Sequence, residues 1–264
     1  MRVFLGLAFH MGNVKFPKIQ DYWKRDPLHE IKGFSMSMSR NRFILILRAL
    51  HFTKNPDESQ QNNDRLHKIR PGLEYFNNRM LEVYYPGKEQ SLDESMVLWR
   101  GLLQFRQYIK NKKHKYSIKL YMLTNPDGLV NKVAIYTGML DEMGGRGHAQ
   151  KVVLHLLQGK LNEGHHVYMD NYYNSFELAR KLLDFKTFCT GTLRLDRKHT
   201  LTDVKNAKLK KGETIARYSS GIIIGKWKDK RDVAYISTEF DNQMVDVQNK
   251  KKGNNSQTTA NNQI

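Results

Sequence analysis

The stretch YSIKLYMLTNPDGLVNKVAIYT, from Tyr116 to Thr137, decides the fold of this chain. Its first half alternates apolar and polar side chains with the period of two that is typical of a β-strand. Asn125-Pro126-Asp127-Gly128 then gives a strong turn signal. The chain returns through a second strand-like segment, Leu129 to Thr137. These residues predict an antiparallel hairpin.

Helix-like and strand-like segments alternate after this hairpin. A helix with Val152, Val153, Leu156 and Leu157 on one side is followed by a strand at 166–170, a helix at 175–184 and a strand at 187–193. With a strand around Leu92, the order is strand, strand, strand, helix, strand, helix, strand. This order predicts an α/β fold with a mixed sheet flanked by helices. It is also the order of a ribonuclease H-like domain, in which the first and fourth strands are neighbours.

The flanking regions have a different character. Residues 1–88 are predicted to be helical, with helices over the opening residues, after the N-cap Ser39, and over 71–85. Residues 89–193 form the expected core. Residues 194–249 are basic and strand-rich, with candidate strands at 213–218, 221–227 and 232–238. Residues 250–264 contain few apolar side chains, which predicts a disordered tail.

The bulk composition limits the possible partners. The 264 residues carry a formal net charge of +18, which attracts polyanions such as DNA, RNA or an anionic membrane surface. No apolar stretch approaches the roughly 18 to 20 residues that span a bilayer. Cys189 is the one cysteine, so the chain has no internal disulfide and no cysteine-rich zinc module.

Two aspartates stand where an apolar strand meets a polar turn. Asp93 lies in Ser-Leu-Asp-Glu-Ser-Met, and Asp170 ends Val-Tyr-Met-Asp. If their strands are neighbours, the two carboxylates can hold Mg²⁺, which prefers oxygen ligands. The alternative is that each side chain binds turn amides. Glu94 should point to the other face of its strand as a solvated carboxylate, and Asn171 is interpreted as a turn residue.

A basic strip follows Asp93. The stretch from residue 100 to residue 119 contains seven cations and no acidic residue, which favours phosphate binding over a merely solvated face. Four more lysines between 205 and 211 are interpreted as a solvated loop. His165 and His166 have no further ligands at zinc spacing. The predicted DNA-binding residues are Arg100, Arg106, Lys110, Lys112, Lys113, Lys115 and Lys119.

A series of blocks along the chain resembles the transposases of piggyBac-type elements and their domesticated derivatives. Matching blocks in the first third include Asp21-Tyr22-Trp23 and the stretch from Met38 to Phe43. Their number and order make the resemblance specific. Later blocks are Asp93-Glu94-Ser95-Met96, Met169-Asp170-Asn171-Tyr172-Tyr173, Gly191-Thr192-Leu193-Arg194 and Trp227-Lys228-Asp229-Lys230-Arg231.

The resemblance implies a cut-and-paste DNA transposase with a ribonuclease H-like core and a triad of three aspartates. It also implies Mg²⁺-dependent chemistry on transposon ends, TTAA targets, action as a homodimer and a nuclear location. Asp93 and Asp170 match the first two acids of the triad. Residues 1–88 match the dimerisation and DNA-binding region, and residues 194–249 match the insertion domain.

The expected third aspartate, in a Gly-Gly-Val-Asp element, does not occur before Ile264. None of Asp229, Asp232, Asp241 and Asp246 has the surrounding motif. We therefore expect a chain truncated at both ends that binds DNA but performs little strand transfer. Three alternatives stay open: an active transposase in a longer form, a domesticated DNA-binding protein without catalysis, and a chain that forms no stable protein.

Overall fold

The computed structural model describes residues 1–54, 64–99, 101–110, 115–138, 143–198 and 200–242. The chain divides into two compact units, Met1–Pro71 and Gly72–Ile264, called here the N-terminal unit and the sheet unit. The boundaries predicted after residues 88, 193 and 249 stay predictions. The predicted disordered tail, 250–264, lies outside the described residues.

The N-terminal unit is helical, as predicted. It contains α1 (Arg2–Asn13), a 3₁₀-helix (Ile19–Trp23), α2 (Lys32–Ser37) and α3 (Arg40–Ala49). Ser39 is the N-cap of α3, since its hydroxyl accepts the Arg42 N–H at 3.3 Å. The 3₁₀-helix and α2 were not predicted, because segments of five or six residues are too short to show a helical period. The buried core side chains are Phe4, Leu7, Tyr22, Phe34 and Phe43.

Helix α4 (Arg70–Val83) confirms the helix predicted over 71–85. Its Asn77 carboxamide donates to the carbonyl of Val133 and accepts the Val133 N–H, both at 2.9 Å. Val133 lies on a strand that pairs with a single neighbour. The side chain of Asn77 therefore satisfies backbone groups at a sheet edge, where free groups would invite pairing with another chain.

Within the described residues, the sheet unit is built on one sheet of nine strands, with three further helices, α5 (His148–Leu157), α6 (Phe176–Asp184) and α7 (Thr202–Asn206). The strand order is β3-β1-β5-β6-β9-β8-β7, and both β2 and β4 pair with β3. The strands are β1 (Glu89–Leu98), β2 (Gln107–Tyr108), β3 (Tyr116–Thr124), β4 (Val130–Ile135), β5 (His166–Met169), β6 (Phe188–Thr192), β7 (Thr214–Ser219), β8 (Ile222–Lys228) and β9 (Asp232–Ser237).

The predicted hairpin is present. Strands β3 and β4 are antiparallel, and Gly128 N–H donates to the Asn125 carbonyl at 3.0 Å across the turn. Strand β1 is antiparallel to β3 and parallel to β5, and β5 is parallel to β6. The predicted contact between the first strand and the strand at 166–170 is confirmed, because Leu92 pairs with Met169.

The strands predicted after residue 194 are also present, but they extend the same sheet. Strand β9 is antiparallel to β6, and β8 and β7 continue outward from it. Gly225 of β8 faces Tyr235 of β9, and a Cβ at Gly225 would stand 2.2 Å from the Tyr235 ring. Glycine is therefore required there for the ring to lie across the neighbouring strand. The assignment of residues 194–249 to an insertion domain stays a prediction.

One apolar cluster holds the sheet to its helices. Helix α5 contributes Val152, Val153, Leu156 and Leu157, which are all fully buried, as predicted. Their strand partners in the cluster include Leu123, Val167 and Cys189. Burial raises the pKa of the Cys189 thiol to about 12, so it acts as a small core hydrophobe. In the described part of the chain, no helix is both long enough and apolar enough to cross a membrane.

Candidate active site

Asp93 and Asp170 lie side by side where the parallel pairing of β1 with β5 ends. Leu92 of β1 pairs with Met169 of the parallel strand β5. Asp93 directly follows Leu92, and Asp170 directly follows Met169. Both carboxylates are exposed and line one cavity of about 470 Å³. The remaining lining residues are Ser91, Leu92, Tyr168, Met169, Thr190, Gly191, Thr192, Trp227, Val233 and Tyr235.

The turn after Asp170 is held by hydrogen bonds from its own residues. One carboxylate oxygen of Asp170 accepts the Tyr172 N–H at 2.9 Å. The Asn174 side-chain N–H group donates to the carbonyls of Met169 at 2.8 Å and Thr192 at 3.0 Å. Asn174 therefore joins the ends of β5 and β6. Sequence analysis missed this residue, because nothing in the local pattern distinguishes it from an ordinary turn residue.

Two further residues outside the turn shape it. A Cβ at Gly191 would stand 1.8 Å from the Met169 carbonyl oxygen, so the two strand ends approach each other too closely for any side chain there. Arg197 donates from its guanidinium to the Tyr172 carbonyl, and to the Asn171 carbonyl at 3.4 Å. Asn171 thus contacts Arg197 through its backbone carbonyl, in line with its interpretation as a turn residue. Sequence analysis did not single out Arg197.

Glu94 has a structural contact that corrects the sequence interpretation. The predicted solvated carboxylate is half-buried, and the Tyr173 hydroxyl lies 3.5 Å from one of its oxygens. Burial raises the pKa of the Tyr173 phenol, and the negative charge of Glu94 adds to that rise. The phenol is therefore a neutral donor, and its contact links the turn after Asp170 to the strand that carries Asp93. Asp93 itself accepts the Glu94 N–H at 2.7 Å.

Aromatic side chains fill the space beside Glu94. The Tyr121 hydroxyl lies 2.6 Å from His148 Nε2. His148 Nδ1 contacts the Met143 carbonyl, which can only accept, so Nδ1 carries a proton. The Lys119 ammonium lies 4.8 Å from the Tyr121 ring centre and 4.7 Å from that of Tyr172. These cation–π contacts place Lys119 next to the turn after Asp170.

The structure places only some of the predicted DNA-binding residues together. Lys110 and Lys115 are exposed at the β2–β3 connection, where Ile109 N–H donates to the Lys115 carbonyl at 2.9 Å. Arg106 lies against the Tyr116 ring, 4.7 Å from its centre. Arg100, Lys112 and Lys113 lie outside the described residues.

The β2–β3 connection and the aspartates share one end of the sheet. Ser117 pairs with Leu98, five positions beyond Asp93 on β1, and Lys119 pairs with Met96. At about 3.3 Å per residue, the described basic residues extend from about 10 to about 20 Å past Asp93 along the strand.

The carboxylates offer part of a metal site. Asp93 and Asp170 supply the hard oxygen ligands that suit Mg²⁺, and their exposure leaves room for waters to complete its shell. Within the described ranges, no three histidine, cysteine or acidic side chains are grouped to hold a metal ion. Asp232 pairs with Lys228 at 2.7 Å, and Asp246 lies outside the described residues. A two-ion site needs more ligands than the two observed here.

The two histidines that were considered as zinc ligands have other contacts. His165 Nδ1 lies 3.1 Å from the Gly87 carbonyl. His166 is buried, contacts the Glu239 carboxylate through Nδ1, and stacks on Tyr168 with ring centres 4.5 Å apart. Lys88 pairs with the same carboxylate. These contacts hold the segment after β9 against the sheet.

The described residues form a helix-flanked mixed sheet in which two neighbouring parallel strands bring two aspartates together. The structure is similar to a chain of the piggyBac transposase synaptic complex with hairpin DNA, with a TM-score of 0.82 and 23% sequence identity. The match covers 92% of this chain and 52% of that chain. At this identity the likeness establishes the fold.

The family model described as "Transposase IS4" matches residues 1–264, and the chain belongs to this family as a piggyBac-type transposase-derived protein. It is 27% identical over 248 residues to human PiggyBac transposable element-derived protein 3, covering 90% of this chain and 41% of that protein. Human PiggyBac transposable element-derived protein 2 is 24% identical over 252 residues, again with 41% of its length covered. The chain therefore spans about two fifths of these relatives.

Proposed function

We propose that this protein binds DNA along the sheet edge that carries Asp93 and Asp170. The observation that carries the proposal is the pairing of Leu92 with Met169, which brings both aspartates to one cavity. The described part of the basic strip starts beside this cavity and extends away from it. Phosphodiester recognition is expected where cations, which bind phosphates, lie next to carboxylates that can hold a metal ion.

The strand order supports a ribonuclease H-like core. Three antiparallel strands, β4, β3 and β1, are followed by the parallel strands β5 and β6. Helix α5 precedes β5 and helix α6 precedes β6, as expected for crossover connections between parallel strands. We assign residues 89–193 to this core.

Asp93 and Asp170 would hold Mg²⁺ in this proposal. Such an ion supplies positive charge that stabilises a phosphate undergoing displacement. The carboxylates themselves are oriented by the protein, since Asp93 accepts the Glu94 N–H and Asp170 accepts the Tyr172 N–H.

We further propose that this chain alone performs little or no strand transfer. The described residues supply two acids at the cavity, and losing one of three ligands leaves the coordination shell incomplete. The chain spans 41% of human PiggyBac transposable element-derived protein 3, so an active transposase in a longer form is the second candidate. A domesticated DNA-binding protein without catalysis is the third.

The partners proposed by the family resemblance are transposon ends and TTAA target sites, bound by a homodimer in the nucleus. The structural neighbour was solved in a synaptic complex with hairpin DNA, which supports DNA as the ligand class.

Fluorescence anisotropy with a labelled 30-base-pair duplex containing an element end tests the proposal. We expect affinity that falls steeply with salt and survives Asp93→Ala, and no strand joining with Mg²⁺ in a parallel assay. Absence of binding at low salt would overturn the DNA-binding proposal. Efficient joining that disappears in both Asp93→Ala and Asp170→Ala would instead establish an active enzyme.

A further inference from the structure

Two basic segments that are distant in sequence come together at the end of β8. Gly212 N–H donates to the Lys228 carbonyl at 2.7 Å, and Lys228 N–H donates to the Glu213 carbonyl at 3.0 Å. The Glu213 carboxylate also accepts the Lys210 N–H at 2.7 Å. These bonds hold the loop 207–213 against the turn 228–231, so the cations of both segments share one surface.

We call this the basic end surface, defined by Lys208, Lys210, Lys211, Lys230 and Arg231. All five residues are exposed. Across the part of the chain that the structure describes, none of their side chains forms an ion pair with a carboxylate. Like charges held close together repel one another, and this repulsion is relieved when a polyanion binds.

Three of the acids around this surface have other contacts. Asp232 lies 2.7 Å from the Lys228 ammonium, and Asp203 lies 2.6 Å from the Arg217 guanidinium. Glu213 is occupied by the backbone of its own loop. Asp229 lies in the same turn and Glu213 in the same loop, so the five cations leave an excess of positive charge over these two carboxylates. The lysines at 205–211 are exposed, which fits the solvated loop interpreted from the sequence, and the structure adds that the loop 207–213 is bonded to a second basic turn.

The basic end surface adjoins the cavity of the two aspartates. Trp227 and Val233 line that cavity and directly flank the segment 228–232. Strand β9 is antiparallel to β6, with Thr192 paired to Tyr235, so the turn between β8 and β9 projects from the same end of the sheet as the turn after Asp170. An extended anion that reaches the aspartates can continue directly onto these cations.

We infer that the basic end surface binds the phosphodiester backbone of the DNA that reaches the Asp93–Asp170 cavity, on the side opposite the strip at 100–119. The two basic regions lie on opposite sides of β1 and β5 in the strand order. A duplex has regularly spaced phosphates that several fixed cations can contact together. This inference rests on the proposed DNA-binding function and assigns it a second contact surface.

The test is duplex binding by the full chain, measured by anisotropy between 50 and 200 mM salt. The variant combines Lys208→Gln, Lys210→Gln and Lys230→Gln, which keep the backbone bonds of the loop. The matched control combines Arg180→Gln, Lys181→Gln and Lys186→Gln, three exposed cations in or just after α6. Both proteins lose three charges, so any difference between them is local.

We expect the variant to bind the duplex at least about tenfold more weakly than the unaltered chain. The magnitude of the slope of log K against log salt should fall by about 2.7, which is about 0.9 for each of three lost phosphate contacts. The control should change the slope by less than about one. Equal effects of variant and control, or no effect of the variant, would overturn the inference while leaving DNA binding intact. Failure of the unaltered chain to bind DNA would instead remove the proposed function. The unaltered chain and the control could bind phosphatidylserine vesicles while the variant does not, with duplex binding equal in all three. That result would assign the surface to membranes and would also overturn the inference.

Discussion

The Tyr173 hydroxyl lies 3.5 Å from the Glu94 carboxylate and connects the two strands that carry the candidate metal ligands. Glu94 follows Asp93 on β1, and Tyr173 lies three residues after Asp170. A contact between these side chains therefore restrains the relative position of both aspartates. Neither residue needs to touch a metal or a phosphate to influence the site.

Tyr173→Phe should weaken this restraint at a modest cost in stability. A hydrogen bond to a charged group contributes about 1.5 to 3 kcal/mol, and the long distance places this one at or below the lower end of that range. We expect a fall of about 1 kcal/mol in the free energy of unfolding, measured by urea denaturation. Tyr75→Phe is the control, because Tyr75 is 71% exposed. Equal stability of the two variants would show that the Glu94 contact contributes nothing.

Sequence reasoning predicted the elements whose signals are local. The hairpin around Asn125–Gly128 depends on adjacent residues, and the buried side of α5 follows from a repeat within ten residues. The pairing of β1 with β5 followed from the order of elements. Contacts between distant residues were missed: Glu94 and Tyr173 are 79 positions apart, and Arg197 is 25 positions from the carbonyl of Tyr172. No local pattern encodes such contacts, because the folded sheet creates them.

Asn174→Ala should be among the more damaging single substitutions in the sheet unit. It removes a buried side chain that donates to the carbonyls of Met169 and Thr192. The Met169 carbonyl would lose a buried donor at about 1 to 3 kcal/mol, and the Thr192 carbonyl would lose a part-buried one at a smaller cost. We expect a loss of about 2 to 4 kcal/mol in chemical denaturation. Asn171→Ala, at an exposed turn position, should cost far less; a comparable loss there would contradict the special role of Asn174.

Gly191→Ala tests the close approach of β5 and β6. The added methyl group would stand 1.8 Å from the Met169 carbonyl oxygen and 2.7 Å from the Asn174 side-chain nitrogen. Backbone must move to relieve the first contact, so we expect a loss of more than about 3 kcal/mol or a failure to fold. Gly72→Ala is the matched control within helix α4, where a methyl group has no atom within 4 Å. It should be neutral or stabilise by up to about 1 kcal/mol. Normal thermal stability of Gly191→Ala would contradict the close approach.

His166 should make the protein less stable in mild acid. Burial lowers the pKa of His166, and the neighbouring Glu239 carboxylate opposes this shift only in part. The other charged neighbours are Lys88, which lowers the pKa further, and Glu89, which raises it. Because the folded state disfavours the protonated ring, the unfolded chain takes up a proton first as pH falls through about 6.5. The stability that the neutral ring supports is therefore present above that pH and declines below it.

The comparison of His166→Phe with the unaltered chain isolates this effect. Phenylalanine keeps a flat ring between Tyr168 and Phe240 but cannot titrate. Burial also lowers the pKa of His165. Burial alone would raise the pKa of Glu239, but its hydrogen bonds with Lys88 and His166 lower it overall. Both of these groups remain in the variant, so its own acid sensitivity will not vanish. We expect the loss of unfolding free energy between pH 7.5 and pH 5.5 to be smaller in His166→Phe, as measured by urea midpoints at each pH. The same loss in both proteins would mean that His166 binds its proton equally well when folded and unfolded, and that its contact with Glu239 fully offsets its burial.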